Sequence, residues 1–110
     1  RKYRPHLATV WQDNLCVVRK DDSFTSHLVI TSPSGTSQIF PQKTTCMQVI
    51  GHQLWTVIGM DMIQVWEKSV LTQDFFMKMQ ILLTHSVVIC SLCGFNQWVI
   101  CGTQGGWILL

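Results

Sequence analysis

Trp11, Trp55 and Trp98 recur at intervals of 44 and 43 residues, and the last two share a glycine frame. Gly51-His-Gln-Leu-Trp55-Thr-Val-Ile-Gly59 is echoed by Gly94-Phe-Asn-Gln-Trp98-Val-Ile-Cys-Gly102, every fixed position offset by 43. A repeat of that length marks a structural unit that cannot bury its apolar face alone and stacks on copies of itself. The chain is therefore expected to be built from successive small units rather than around one irregular core.

Those units read as β-strands. Leu7 to Gln12 and Leu15 to Lys20 are apolar runs joined by Asp13-Asn14, and Arg19-Lys20-Asp21-Asp22-Ser23 is a polar turn before Leu28 to Thr31. Gln38-Ile-Phe40 reads as at most a short extended piece ended by Pro41. Cys46 to Ile50, Leu54 to Ile58 and Met62 to Trp66 are separated by Gly51-His52-Gln53 and Gly59-Met60-Asp61. From Phe75 to Leu83 the residues alternate with a period of two, Lys78 and Gln80 outward, which predicts a fourth strand. A helix over Val70 to Leu83 is the competing expectation, because Leu, Met and Gln are good helix formers. The pattern then restarts: Val87 to Leu92, a turn at Gly94 and Asn96, Trp98 to Cys101, and a turn at Gly105-Gly106 into Trp107 to Leu110. One extra residue in this last hairpin matches Ile63 with Trp107 and Val65 with Leu109.

With Leu54-Trp-Thr-Val-Ile-Gly59 followed by Ile63-Gln-Val-Trp66-Glu67, the chain resembles the WD40-like β-propeller family. Trp66-Glu67 stands where that family commonly has Trp-Asp. The second copy runs from Trp98-Val-Ile-Cys-Gly102 to Ile108-Leu-Leu110, and the resemblance covers about two-thirds of the chain. Gly51-His52 lies only 15 residues before Trp66-Glu67, so the family's Asp-His-Ser/Thr-Trp hydrogen-bond set is not carried over. The resemblance implies an all-β fold of antiparallel four-stranded blades: an incomplete N-terminal blade and linker over residues 1–45, a complete blade over 46–85 and an incomplete blade over 86–110. In that frame Leu7 to Gln12 is a blade's second strand. It further implies a non-enzymatic protein-interaction scaffold of the kind appended to large cytoplasmic signalling proteins. Its partners are then a protein or peptide, the remaining blades of a parent propeller, or another copy of the chain.

Composition narrows the alternatives. Hydrophobic residues make up 47% and charged ones 13%, so part of the surface must be polar and uncharged or covered by something else. A net charge of +2 is too small to predict a nucleic-acid partner, and Arg1, Lys2 and Arg4 read as a solvated terminus. Between Lys78 and Leu110 no residue is formally charged apart from His85 if protonated. The glycines and polar residues there suit paired strands better than a membrane-spanning helix. Five cysteines, an odd number mostly inside apolar runs, fit reduced thiols in the cytoplasm rather than a disulfide framework.

No catalytic residue, metal or cofactor is expected. His85, Cys90, Cys93 and Cys101 contain a Cys-x-x-Cys, yet residues three apart on a strand point to opposite faces. The carboxylates, Glu67 among them, mostly occupy turn-like positions. Recognition is instead expected at strand connections: His52, Gln53, Asn96, Gln97 and the Lys20-Asp21-Asp22 loop. A β-trefoil sugar-binding module is the alternative, since three spaced tryptophans could mark three lobes and Gln53-Leu-Trp55 resembles the Gln-x-Trp of ricin-type lectins.

Overall fold

Turn chemistry decides where the chain reverses. The computed structural model describes residues 4–83 and 87–110, with side chains described from residue 7 onward. Gln12 and Asp13 both take positive φ, as do Gly51 and Asn96, giving two-residue reversals whose twist suits antiparallel pairs. Eleven strands result: β1 (Arg4–Trp11), β2 (Asn14–Lys20), β3 (Ser26–Thr31), β4 (Ser37–Pro41), β5 (Thr44–Ile50), β6 (Gln53–Ile58), β7 (Met62–Lys68), β8 (Phe75–Leu82), β9 (Ile89–Phe95), β10 (Trp98–Thr103) and β11 (Gly106–Leu109).

The strands form three antiparallel meanders: sheet I is β1-β2-β3-β4, sheet II is β5-β6-β7-β8, and sheet III is β9-β10-β11. The all-β, antiparallel expectation holds, and no helix occurs among the described residues. The alternation read from Phe75 onward is strand β8, not a helix.

Packing follows from the period of two. Along β6, Leu54, Trp55, Thr56 and Val57 are all buried, so sheet II is covered on both faces. Leu54 and Trp66 join Trp11, Cys16, Val18, Leu28 and Ile30 in one core, between sheets I and II. Trp55, Val57, Ile63 and Val65 join Leu92, Val99 and Cys101 in a second core, between sheets II and III. Phe40 of β4 tilts onto Trp66 with ring centroids 4.7 Å apart, and Trp11 onto Phe75 at 5.1 Å. Each sheet thus has a leading face, toward the next sheet, and a trailing face, toward the previous one.

Two expectations are corrected. Leu7 to Trp11 belongs to the first strand of its sheet, with Gln12 in the turn that follows, and Gln38 to Phe40 to its fourth: β4 pairs with β3 from Thr31↔Ser37 to His27↔Pro41. Pro41 is compatible with this because β4 is an edge strand and its missing N–H disrupts no inner ladder. The tryptophans are also not equivalent positions. The hairpins close on Trp11↔Asn14, Ile50↔Gln53 and Phe95↔Trp98, so Trp98 corresponds to Gln53 and Trp55 corresponds to Ile100. The glycine frame is offset in the same way, for Gly51 lies in a turn at φ +60° and Gly94 inside β9. A Cβ on Gly94 would stand 2.8 Å from Ile50 Cγ2, so that glycine admits close approach of sheets II and III. Ile63 and Val65 do match Trp107 and Leu109 through their pairings with β6 and β10.

Candidate interaction surface

Antiparallel meanders place alternate connections at opposite ends of the stack. The reversals at Gln12-Asp13, Gly51-His52 and Asn96-Gln97 share one end with the β3–β4 and β7–β8 loops, while the β2–β3 turn through Asp21 and Asp22 lies at the other. The recognition residues expected from sequence therefore divide. His52, Gln53, Asn96 and Gln97 are brought to one end, and Lys20, Asp21 and Asp22 belong to the other.

At the first end, Glu67 is the hub. Gln53 Nε2 donates to its Oε2 at 2.8 Å, Lys78 Nζ lies 3.0 Å from that oxygen and His52 Nε2 3.3 Å. Gln53 Oε1 in turn accepts from the Trp55 indole at 3.1 Å, coupling a buried ring to the surface cluster. Hydrogen bonding by Gln53 holds the Glu67 carboxyl below the usual glutamate range, with Lys78 adding to the effect. Glu67 is not a turn carboxylate; it occupies β7 beside β8. The His52 carbonyl accepts from Trp11 Nε1 at 2.9 Å and from Gln12 Nε2 at 3.2 Å, fixing the sheet II hairpin to the sheet I hairpin. Asn96 and Gln97 form an exposed reversal, with Asn96 at φ +55°.

At the second end, Asp21 caps its own loop. One carboxylate oxygen accepts from the Ser23 and Thr25 amides at 2.9 and 3.0 Å, and the other lies 3.2 Å from His27 Nε2. The His27 contact and these amides lower the Asp21 carboxyl from its ordinary range. Asp21 thus organises the turn, and Lys20 and Asp22 flank it at the surface.

Comparison with protein-family models, curated proteins and solved structures found no match. The chemistry of the surface must be read from its own residues.

The cysteines do not converge on a metal. Among the described residues no group of three or more His, Cys, Asp or Glu could hold an ion, and all five cysteines are free thiols. Cys101 faces the core between sheets II and III, whereas Cys90 and Cys93 are exposed on β9. His85 lies outside the described residues. Burial pushes the Cys16 thiol up to about 12 and raises Cys46 and Cys101 above the ordinary thiol range, the reverse of a reactive thiolate. No helix of the described residues is long and apolar enough to cross a membrane.

Sequence reasoning missed Glu67 as the organiser of the His52-Gln53 cluster, together with its strand neighbour Lys78. It placed the first reversal at Asp13-Asn14, one residue late, since the hairpin closes on Trp11↔Asn14 around Gln12-Asp13. The available signal was the outward phase of Lys78, which put a cation on the strand beside Glu67.

Proposed function

We propose that this chain is a non-enzymatic interaction scaffold, a set of WD40-like propeller blades that presents turns to a protein or peptide partner. The observation that carries the reading is the stack itself. Three meandering sheets are joined front to back through two continuous cores, and their reversals gather at the ends. Loops anchored by such a scaffold are suited to recognition because their ends are fixed while their tips are free to vary. The Gly51-His52 reversal is the best-braced of them, held by Trp11 from one side and by Glu67 from the other. The polar, nearly uncharged turn residues favour hydrogen bonding to an extended peptide over capture of a polyanion such as nucleic acid. Free thiols, two of them exposed, fit a reducing compartment, and we place the protein in the cytoplasm on that basis.

The test is selection of a displayed random-peptide library against the chain, followed by titration of enriched peptides onto variants. Loss of at least about tenfold in affinity in His52→Ala or Gln97→Ala supports the reading, being the scale of one lost polar contact. Peptides that bind all turn variants equally, or binding to simple glycans instead, would count against it. No observation favours the sugar-binding alternative, since the three indoles that would mark its lobes occupy unlike positions.

A further inference from the structure

The hairpin closures put the three sheets in one common frame, and that frame shows which surfaces are left over. Cys16, Val18, Leu28 and Ile30 on the leading face of sheet I correspond to Trp55, Val57, Ile63 and Val65 on sheet II. They correspond again to Ile100, Gly102, Trp107 and Leu109 on sheet III. The first two sets are buried against the next sheet. The third set faces outward: Trp107 is 68% exposed, and Phe95, Trp98 and Leu109 beside it are exposed as well.

The trailing faces give the mirror result. Leu54 and Thr56 of sheet II, and Val99 and Cys101 of sheet III, are buried against the preceding sheet. Their counterparts on sheet I are Leu15 and Val17. Leu15 is exposed, and so are Val10 paired with it, at 63%, and Ile39 at the β4 edge of the same face, around the better shielded Val17 and Val29. Apolar patches of this kind are uncommon on free monomers.

The occupant of each face is written in the repeat. A leading face packs on a trailing face at both junctions, and among the described residues no sheet lies against the leading face of sheet III or the trailing face of sheet I. The row Val17, Val29 and Ile39 across the trailing face is apolar, as are Phe95, Trp98, Trp107 and Leu109 on the leading face, while Arg19 and His27 sit toward the β2–β3 end of the trailing face. We propose that the leading face of sheet III docks on the trailing face of sheet I of a second copy, head to tail. This rests on the stacked-scaffold reading and names one partner for it. The contact is heterologous, with different patches meeting, and therefore propagates or closes a ring rather than making a single symmetric junction.

Light scattering on the full chain, coupled to size exclusion, tests this with two substitutions at exposed positions. Leu15→Glu blocks the trailing face and Trp107→Glu the leading face, and Ile39→Glu with Leu109→Glu serves as a second pair should either variant misfold. The native chain is expected at two or more copies, each single variant as a monomer. A mixture of the two variants should recover a two-copy species through the one junction that remains intact in each. A monomeric native chain would overturn the proposal. So would oligomers that survive both substitutions, which would point to pairing of the open β8 or β11 edges, or a mixture that stays monomeric. Peptide binding by the turns is read separately, so assembly and recognition fail independently.

Discussion

Trp11 and His52 join two sheets through one hydrogen bond. The indole N–H donates to the His52 carbonyl at 2.9 Å across 41 residues of sequence, from a ring that is fully buried. Replacing the indole with a ring of related shape should keep most of the packing and lose the donor. Trp11→Phe is expected to destabilise by about 1–3 kcal/mol, combining one lost hydrogen bond with a smaller ring. Urea unfolding measures it. A midpoint equal to that of the native chain would mean the two hairpins are not tied.

The tryptophans should differ sharply in what they contribute. Trp55 is 6% exposed between sheets II and III, and Trp98 is 48% exposed on the outer face of sheet III. In a Leu15→Glu background, Trp55→Ala is expected to cost about 3–5 kcal/mol. Trp98→Ala should stay within about 0.5 kcal/mol, as a surface change does. Equal losses in thermal unfolding would restore the indole repeat as a structural one.

That contrast shows what was legible in the sequence. Strand and turn signals located most elements, since Gly51, Gly59 and Asn96 fall at reversals and the stretch after Phe75 is a strand, although its period of two is broken by a register shift at Lys78 that leaves Met77 and Met79 exposed. The register was less visible. The equivalent positions Asn14, Gln53 and Trp98 lie 39 and 45 residues apart because the connections differ in length, so the interval of 43 gives Trp98 the wrong phase by two residues. A shift of two keeps the same face, so periodicity alone gave no warning. The fourth strand of sheet I was obscured because five residues ending in proline carry little signal. The Glu67 cluster was obscured because it depends on pairing between β7 and β8, which no local pattern reports.

Acid should weaken the fold through two carboxylates. Glu67 and Asp21 both titrate below their ordinary values when folded, so the unfolded chain binds their protons first as pH falls. Their stabilisation is present above about 4.5 and 3.8, the ordinary values, and is lost as pH drops through the folded ones. Thermal unfolding measured down through this range should fall less steeply for Glu67→Gln than for the native chain. Parallel curves would show that Gln53 and Lys78 do not favour the charged carboxylate.

Alkali acts in the opposite sense through Cys16. Its thiol ionises near 9.0 when unfolded and at about 12 when buried, so the native state holds the proton longer. Stability from this group is complete below 9.0 and declines above it, at a slope of up to about 1.4 kcal/mol per pH unit. Cys16→Ala should flatten the alkaline limb while lowering stability at neutral pH. Thiol labelling at neutral pH should reach Cys90 and Cys93 quickly and Cys16 only on unfolding. Prompt labelling of Cys16 would contradict its burial.

The front-to-back stacking of the sheets is tested most directly by proton NOEs in the Leu15→Glu variant. Cross-peaks are expected between the rings of Phe40 and Trp66 and between the Gly94 α-protons and the Ile50 γ2 methyl, linking sheet I to II and II to III. Absence of both sets, with the Trp98 indole instead in contact with Val57 or Ile63, would contradict the stacking and the register on which it stands.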